Sequence, residues 1–150
     1  MVTDLSTRFH VVDTTLRDGL QNPEMPEHGK FSLTIPERLE IFTALVKYGV
    51  RYVEVFSPLV NATEKESLSA ILDCRNKLSK EFGHTFILAH VRCEERDVQA
   101  AIDAGVDGLN IYIPTSAVCI KTKNFGSPWN PNKHVLRASA PQTNARVISP

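Results

Sequence analysis

The chain has few of the features that mark secreted, membrane or nucleic-acid-binding proteins. It carries 3 cysteines in 150 residues, an odd number without metal-type spacing, which favours reduced thiols over a disulfide framework. No apolar run approaches the roughly 20 residues that cross a bilayer, and the N-terminus lacks the apolar core of a signal peptide. The formal net charge of +0 gives no general electrostatic case for nucleic acid. We therefore expect a cytoplasmic protein with no membrane or nucleic-acid partner.

Acidic residues are absent from the last thirty positions. Residues 1–120 contain 12 Lys+Arg and all 17 Asp+Glu, whereas residues 121–150 contain 5 Lys+Arg and no acid. This last segment has no hydrophobic period, and its pairs Val135-Leu136 and Val147-Ile148 are too short to predict helices or strands. We expect an α/β unit over residues 1–120, followed by an irregular or disordered basic tail over 121–150.

Strand-like and helix-like segments alternate before that tail. Short apolar, β-branched runs predict four parallel strands, at 9–14, 51–56, 85–89 and 108–113. Amphipathic segments predict three helices between them, beginning at Thr34-Ile35-Pro36-Glu37, near Thr63 and at Glu94. The pattern predicts an α/β protein.

Two glycine joints repeat within this pattern. Gly49-Val50 and Gly105-Val106 each end a helix and lead directly into a strand. Such joints occur in (β/α)8 barrels and also in flavodoxin-like sheets. Periodicity alone therefore does not select the barrel.

The densest polar group follows the first predicted strand. Val11-Val12-Asp13-Thr14-Thr15-Leu16-Arg17-Asp18-Gly19-Leu20-Gln21 passes from apolar residues to charges and a glycine turn. In α/β barrels the catalytic groups lie at the C-terminal ends of strands. Asp18 could bind a divalent cation, Arg17 could stabilise an enolate or carboxylate, and Gln21 would add a hydrogen-bonding arm. An Arg–Asp ion pair that caps the strand explains the spacing equally well.

The run from Asp13 to Gln21 resembles the signature of the metal-dependent aldol and Claisen enzymes that include homocitrate synthase, isopropylmalate synthase and hydroxymethylglutaryl-CoA lyase. The resemblance extends from about residue 9 to about residue 123. It implies a TIM (β/α)8 barrel, of which this chain would form about half, and a divalent metal (Mg, Mn or Zn). The implied reaction is acyl transfer from acetyl-CoA to a 2-oxo acid in amino-acid biosynthesis, with lyase-type cleavage as the alternative.

The resemblance also assigns roles to individual residues. Arg17 matches the family's catalytic arginine, and Asp18 matches its metal-binding acid. Glu54 resembles a catalytic carboxylate near the substrate, although an ion pair with a neighbouring arginine is an equal alternative. The segment Ala89-His90-Val91-Arg92-Cys93 resembles the third strand of homocitrate synthases, where His and Arg face the 2-oxo acid. Side chains at i and i+2 share one side of a strand, so His90 and Arg92 would suit a dicarboxylate. Thr115, in the Thr-Ser pair after the fourth strand, is a further substrate-binding candidate.

Two features of that family are missing. Its metal is also held by a His-x-His pair, but no two of the five histidines are spaced i, i+2. Ile120, with Lys121 beside it, stands where homocitrate synthases commonly carry an arginine, which weakens the choice of 2-oxoglutarate. Half a barrel would also leave open sheet edges and an exposed apolar face. We expect a truncated N-terminal portion of an enzyme, with an inactive fragment or assembly partner and a homodimeric half-barrel as alternatives.

Overall fold

The computed structural model describes residues 10–21 and 33–113, together with the backbone of 146–147. Four strands and three helices alternate in it as the sequence predicts, with a 3₁₀ turn at Asp18–Gln21 and a short fifth strand. In chain order the elements are β1 (Val12–Asp13), α1 (Ile35–Tyr48), β2 (Tyr52–Phe56), α2 (Ala62–Phe82), β3 (Phe86–Arg92), α3 (Glu95–Asp103), β4 (Gly108–Tyr112) and β5 (Arg146–Val147).

The order of the strands decides between the two candidate folds. All neighbouring strands are parallel, and their order in the sheet is their order in the chain. Since crossovers between parallel strands are right-handed, a sheet that grows in one direction carries all its helices on one face. A flavodoxin-like sheet reverses direction and carries helices on both faces. The chain therefore forms part of a (β/α)8 barrel.

The two faces of the sheet have different chemistry. Odd-numbered strand residues pack against the three helices in a single hydrophobic core. The buried members of this core in β2, β3 and β4 are Val53, Val55, Ile87, Ala89, Val91 and Leu109, and those in the helices are Phe42, Val46, Leu68, Ile71, Leu72, Val98 and Ala101. Because strand side chains alternate, the even-numbered residues lie on the opposite face, which is the interior side of a barrel.

Helix α1 begins where its capping pattern predicts. The Glu37 carboxylate accepts hydrogen bonds from the Thr34 hydroxyl at 2.6 Å and the Thr34 N–H at 2.7 Å, and these bonds lower the pKa of Glu37. Helix α2 begins earlier than the sequence suggested. Its cap is Asn61, whose side-chain oxygen accepts the Glu64 N–H at 2.8 Å, and not Thr63. Asparagine ranks above threonine at this position, so the stronger cap sets the start.

Strand β3 is longer than its apolar run. The prediction ended the strand at Ala89, but it continues to Arg92 because His90 and Arg92 pair in register with Asn110 and Tyr112 of β4. Ladder pairing with a neighbouring strand is not visible in local hydrophobicity. The extension places two polar side chains on the interior face at the end of the sheet.

Ion pairs that are largely shielded from solvent join the helices to each other and to the sheet. Arg38 of α1, only 5% exposed, donates to the Glu64 carboxylate of α2 at 2.7 and 3.0 Å. At the N-terminal ends of the strands, Asp107 pairs with Arg75 of α2 and accepts the Ile87 N–H at 2.8 Å. Arg38 and Glu64 lie in the first turns of α1 and α2, on the helical side of the sheet, and the Asp107 cluster lies at the N-terminal ends of the strands, so both clusters hold elements of the fold together.

The C-terminal segment contains one pairing that the sequence did not predict. Arg146–Val147 pairs in parallel with β4, opposite Gly108 and Leu109, although Val147-Ile148 was expected to be too short for an element. A two-residue strand is too short to show a hydrophobic period in the sequence. It is recognised only by its pairing with β4. Residues 121–145 and 148–150 lie outside the described ranges, so the irregular tail stays a prediction. Among the helices that the structure describes, none is long and apolar enough to cross a membrane.

The glycine joints provide a test of local conformation. Gly49 and Gly105 adopt φ of 94° and 83°, and an added Cβ would meet nothing within 4 Å at either position. Alanine at either site should therefore lower the free energy of unfolding by about 1–2 kcal/mol through backbone conformation alone. Asparagine, which tolerates this region, should cost less. Urea unfolding measures both effects.

The matched control is Gly19→Ala, where φ is not positive and the added Cβ would lie 3.7 Å from Thr15 Cγ2. This variant should change stability by less than about 0.5 kcal/mol, as surface substitutions without strain do. Equal effects at Gly19 and Gly49 would contradict the conformational explanation.

Candidate active site

The C-terminal ends of β1 to β4 bring the predicted polar residues together. After β1 the chain turns back on the Thr14 carbonyl, which accepts the Arg17 N–H at 3.0 Å and the Asp18 N–H at 2.8 Å. This turn directs the Arg17 side chain towards β2, where it meets Glu54. His90 and Asn110 lie opposite each other on β3 and β4, on the same interior face as Glu54.

Glu54 is the common partner of these side chains. Its carboxylate, 0% exposed, accepts hydrogen bonds from Arg17 Nε at 2.8 Å, from His90 Nδ1 at 2.9 Å, and from the Asn110 amide. Burial acts to raise the pKa of Glu54, but the hydrogen bonds from His90, Arg17 and Asn110 and the charge of Arg17 outweigh burial and lower this pKa to about 2. The carboxylate is therefore ionised at neutral pH and can only accept hydrogen bonds.

This contact fixes the orientation of the His90 ring. Since an ionised Glu54 accepts only, His90 Nδ1 carries the proton, and in the neutral ring Nε2 is then the acceptor. The ring also stacks on Tyr112, with centroids 4.5 Å apart and planes 7° apart. A carboxylate that sets tautomer and orientation of a histidine is a recurring arrangement in active sites. His90 is thus held by Glu54 on one side and by Tyr112 on its ring face.

A cavity of about 530 Å³ lies beside this cluster. Its wall contains three predicted residues, Gln21, His90 and Arg92, and six that sequence reasoning missed. The six are Phe56, Ser57, Leu59, Val60, Asp97 and Tyr112. Phe56 and Tyr112 share the parity of Glu54 and His90 along their strands, so strand alternation was the signal that could have identified them. Leu59 and Val60, in the loop after β2, had no comparable signal.

Arg92 lies on this cavity wall in an ion pair. Its Nε and one terminal nitrogen each donate to the Asp97 carboxylate at 2.8 Å, and Asp97 is 2% exposed in the first turn of α3. The hydrogen bonds that Arg92 donates to Asp97 are the main cause that raises the pKa of Arg92. Glu94 lies 3.8 Å from the same guanidinium. The positive charge that the sequence suggested for substrate is therefore already compensated within the chain.

The described residues do not form a metal centre on their own. Asp18, predicted as a metal ligand, has a 63% exposed side chain that lies 2.9 Å from Arg17. Within residues 10–21 and 33–113, no three His, Cys, Asp or Glu side chains are grouped so as to hold a metal. A divalent ion needs several ligands to replace lost water, and Asp18 would supply one. Thr115 lies outside the described ranges.

The structure contains both ion pairs that the sequence offered as alternatives to catalytic roles: Arg17 with Asp18, and Glu54 with a neighbouring arginine. Arg17 contacts Asp18 and Glu54 together, at 2.9 Å and 2.7 Å. These pairs are compatible with a catalytic role, because they orient a guanidinium at the barrel mouth. They also account for a buried carboxylate that would otherwise destabilise the sheet.

The depressed pKa of Glu54 predicts how stability depends on pH. Above about pH 4.5 the ionised carboxylate stabilises the fold, and this contribution is lost as pH falls from about 4.5 towards 2. Glu54→Gln should therefore lower the free energy of unfolding by of the order of 2–3 kcal/mol at pH 7, and the deficit should shrink towards pH 2. Urea unfolding at several pH values measures it. Exposed Glu40→Gln is the control, and an equal, pH-independent deficit in both variants would contradict the assignment.

Comparison with known proteins agrees with this architecture. Residues 8–134 match the model of the HMGL-like family. A protein named "Probable 2-isopropylmalate synthase" from Methanopyrus kandleri is 36% identical over 116 residues, which cover 77% of this chain and 21% of that protein. The cytosolic isozyme of homocitrate synthase from Saccharomyces cerevisiae is 32% identical over 108 residues, covering 72% and 22%.

A second protein of Methanopyrus kandleri, homocitrate synthase AksA, is 34% identical over 120 residues, which cover 80% of this chain and 27% of that protein. The chain thus spans about a fifth to a quarter of the length of these relatives. The matched residues include the turn after β1 and all of the described cluster around Glu54. On this match and on its parallel, one-directional sheet, the chain belongs to the HMGL-like family.

Proposed function

We propose that this chain supplies part of an active site that joins acetyl-CoA to a 2-oxo acid through a new carbon–carbon bond. The observation that supports this most is the cluster of Arg17, His90 and Asn110 around Glu54, at the barrel end where catalytic groups lie. The names of the relatives, isopropylmalate and homocitrate synthase, point to the same reaction class.

In the proposed reaction the methyl group of acetyl-CoA loses a proton, and the resulting enolate carbon attacks the keto carbon of the 2-oxo acid. The keto oxygen becomes an alkoxide and takes up a proton, and hydrolysis of the thioester releases CoA. Negative charge therefore develops on oxygen during the bond-forming step. Fixed N–H donors aimed at that oxygen lower the barrier because they need no reorganisation.

Arg17 is the proposed catalytic donor. Its Nε and one terminal nitrogen are held by Glu54 and its other terminal nitrogen contacts Asp18, so the guanidinium has a fixed orientation. The remaining N–H groups are available to a substrate oxygen. Glu54 acts in this scheme as the positioning group for Arg17 and His90, and its low pKa keeps it ionised throughout.

Gln21, His90 and Arg92 are the proposed substrate-binding residues because they line one cavity. His90 links this cavity to Arg17, since both donate to Glu54. Thr115 is proposed with them on sequence resemblance. Asp18 is proposed as one ligand of a divalent metal, which when bound would polarise the keto acid. A homodimer is one source of the further ligands that such an ion needs.

The second candidate function is that of a catalytically inactive assembly partner. The absence of a metal-binding group among residues 10–21 and 33–113 favours it. Lyase-type cleavage uses the same groups in reverse and stays an alternative within the enzyme class.

Release of CoA tests the enzymatic proposal. The 150-residue chain, with Mg²⁺, Mn²⁺ or Zn²⁺, should release CoA from acetyl-CoA only when a 2-oxo acid is present. Arg17→Gln should lower kcat by about 10²–10³-fold, the usual cost of losing one charge-stabilising donor. Arg17→Lys keeps the positive charge but loses the bidentate contact with Glu54, so its kcat should fall by nearly the same factor.

Arg51→Gln is the matched control, because Arg51 bonds the His84 carbonyl near the opposite ends of the strands. It should leave turnover unchanged, and circular dichroism should show the same fold in all variants. No CoA release by the parent chain with any of the three metals would contradict catalysis by this chain and favour the assembly partner.

Metal binding is a separate prediction. Calorimetric titration with Mn²⁺ should give binding that Asp18→Asn weakens at least tenfold, since a metal ligand is lost. Asp73→Asn, at an exposed position of α2, is the control. Light scattering on the same sample gives the mass. Unchanged Mn²⁺ affinity in Asp18→Asn would leave Asp18 as an ion-pair partner of Arg17 only.

A further inference from the structure

We infer that the cavity beside His90 selects a 2-oxo acid whose side chain is uncharged, and disfavours a 2-oxo dicarboxylate. This inference rests on the proposed function and specifies its substrate. It departs from the expectation that His90 and Arg92 together would suit a second carboxylate. Three features of the described residues support it.

The first is the state of Arg92. Its guanidinium makes two 2.8 Å hydrogen bonds to Asp97, a carboxylate that is 2% exposed and also receives the Arg92 backbone N–H at 3.4 Å. The Arg92 side chain is half exposed, but a substrate carboxylate at its remaining N–H groups would come close to Asp97 and to Glu94, whose carboxylate lies 3.8 Å from the guanidinium. Leaving a buried carboxylate without its partner is strongly unfavourable. Arg92 therefore lines the cavity with a positive charge that Asp97 and Glu94 already balance, so it offers little net attraction to a second carboxylate.

The second feature is the net charge of the groups in and near the cavity wall. Arg92 and Asp97 line the cavity, and the guanidinium groups of Arg17 and Arg92 together face four carboxylates in or near its wall, those of Asp18, Glu54, Glu94 and Asp97. The formal charge of these two guanidinium groups and four carboxylates is therefore minus two. Each additional negative charge on a ligand is repelled by such a field. One carboxylate is common to all 2-oxo acids, but a second one distinguishes the dicarboxylates.

The third is the apolar part of the wall. Phe56, Leu59, Val60 and Tyr112 line the same cavity. Leu59 is 42% and Val60 57% exposed, so both have surface that a ligand can cover. An aliphatic side chain gains from covering that surface, whereas a carboxylate placed there would lose water without a partner. Charge and apolar surface thus favour the same ligand class.

A matched pair of ligands tests the inference by binding alone. 2-Oxopentanoate and 2-oxoglutarate share a five-carbon chain and the 2-oxo acid head, and differ in a terminal methyl or carboxylate. Calorimetric titration of the 150-residue chain with Mn²⁺ should show at least tenfold tighter binding of 2-oxopentanoate. Equal or tighter binding of 2-oxoglutarate would overturn the inference and leave the proposed function standing. Absence of binding of both acids would contradict the proposed function itself, and this inference with it.

Variants that remove one negative charge test whether the Arg92–Asp97 pair causes the preference for 2-oxopentanoate. Asp97→Asn frees Arg92 and should shift the affinity ratio at least fivefold towards 2-oxoglutarate. Glu94→Gln, at an exposed position, should shift it in the same direction by a smaller factor and keeps the test available if the buried Asp97 variant does not fold. Glu95→Gln removes the same charge from a neighbouring exposed position and should leave the ratio within twofold. A folded Asp97→Asn or Glu94→Gln variant with the parent ratio would overturn the role of the Arg92 pair.

Discussion

The interior carboxylate of Glu54 is the constraint on which the described site depends. A fully buried charge is tolerated only when it is paired and hydrogen-bonded, and Glu54 meets this requirement with donors from three separate elements. The turn after β1 must bring Arg17 inward, and β3 and β4 must align His90 with Asn110. The pairing therefore ties the geometry of the site to the register of the sheet. Loss of register by one residue would turn these side chains to the helical face.

The sheet makes this arrangement possible because it grows in one direction. The three helices that the structure describes cover the odd-numbered face, where aliphatic residues such as Val53 and Ile87 are buried. The even-numbered face of β2 to β4 carries mainly polar and aromatic residues, with Leu88 as a buried aliphatic exception. This division separates the stabilising core from the site, so polar residues at the strand ends do not interrupt the core. Ion pairs such as Arg38–Glu64 join the helices without entering that face.

Local features of the fold could be predicted from the sequence, and contacts between distant segments could not. The Thr34–Glu37 capping pattern and the two Gly-Val joints depend on neighbouring residues, and the structure contains both. The start of α2 was misplaced because Asn61 and Thr63 are competing caps two residues apart. Asn110 and Asp97 were missed because their importance comes from partners in other elements, Glu54 and Arg92. The motif predicted which charges lie at the barrel end, but not which of them neutralise each other.

That mutual neutralisation connects stability with selectivity. Arg17 and Arg92 are each fixed by carboxylates of the same chain, which gives them defined orientation and removes most of their net positive field. A ligand at this mouth is then discriminated by hydrogen-bond geometry and by apolar fit more than by attraction to free positive charge. Since Glu54 and Asp97 are both buried, release of either arginine would leave a buried carboxylate without its ionic partner. The interactions that hold the strand ends together therefore also limit which substrate charges the site can accept.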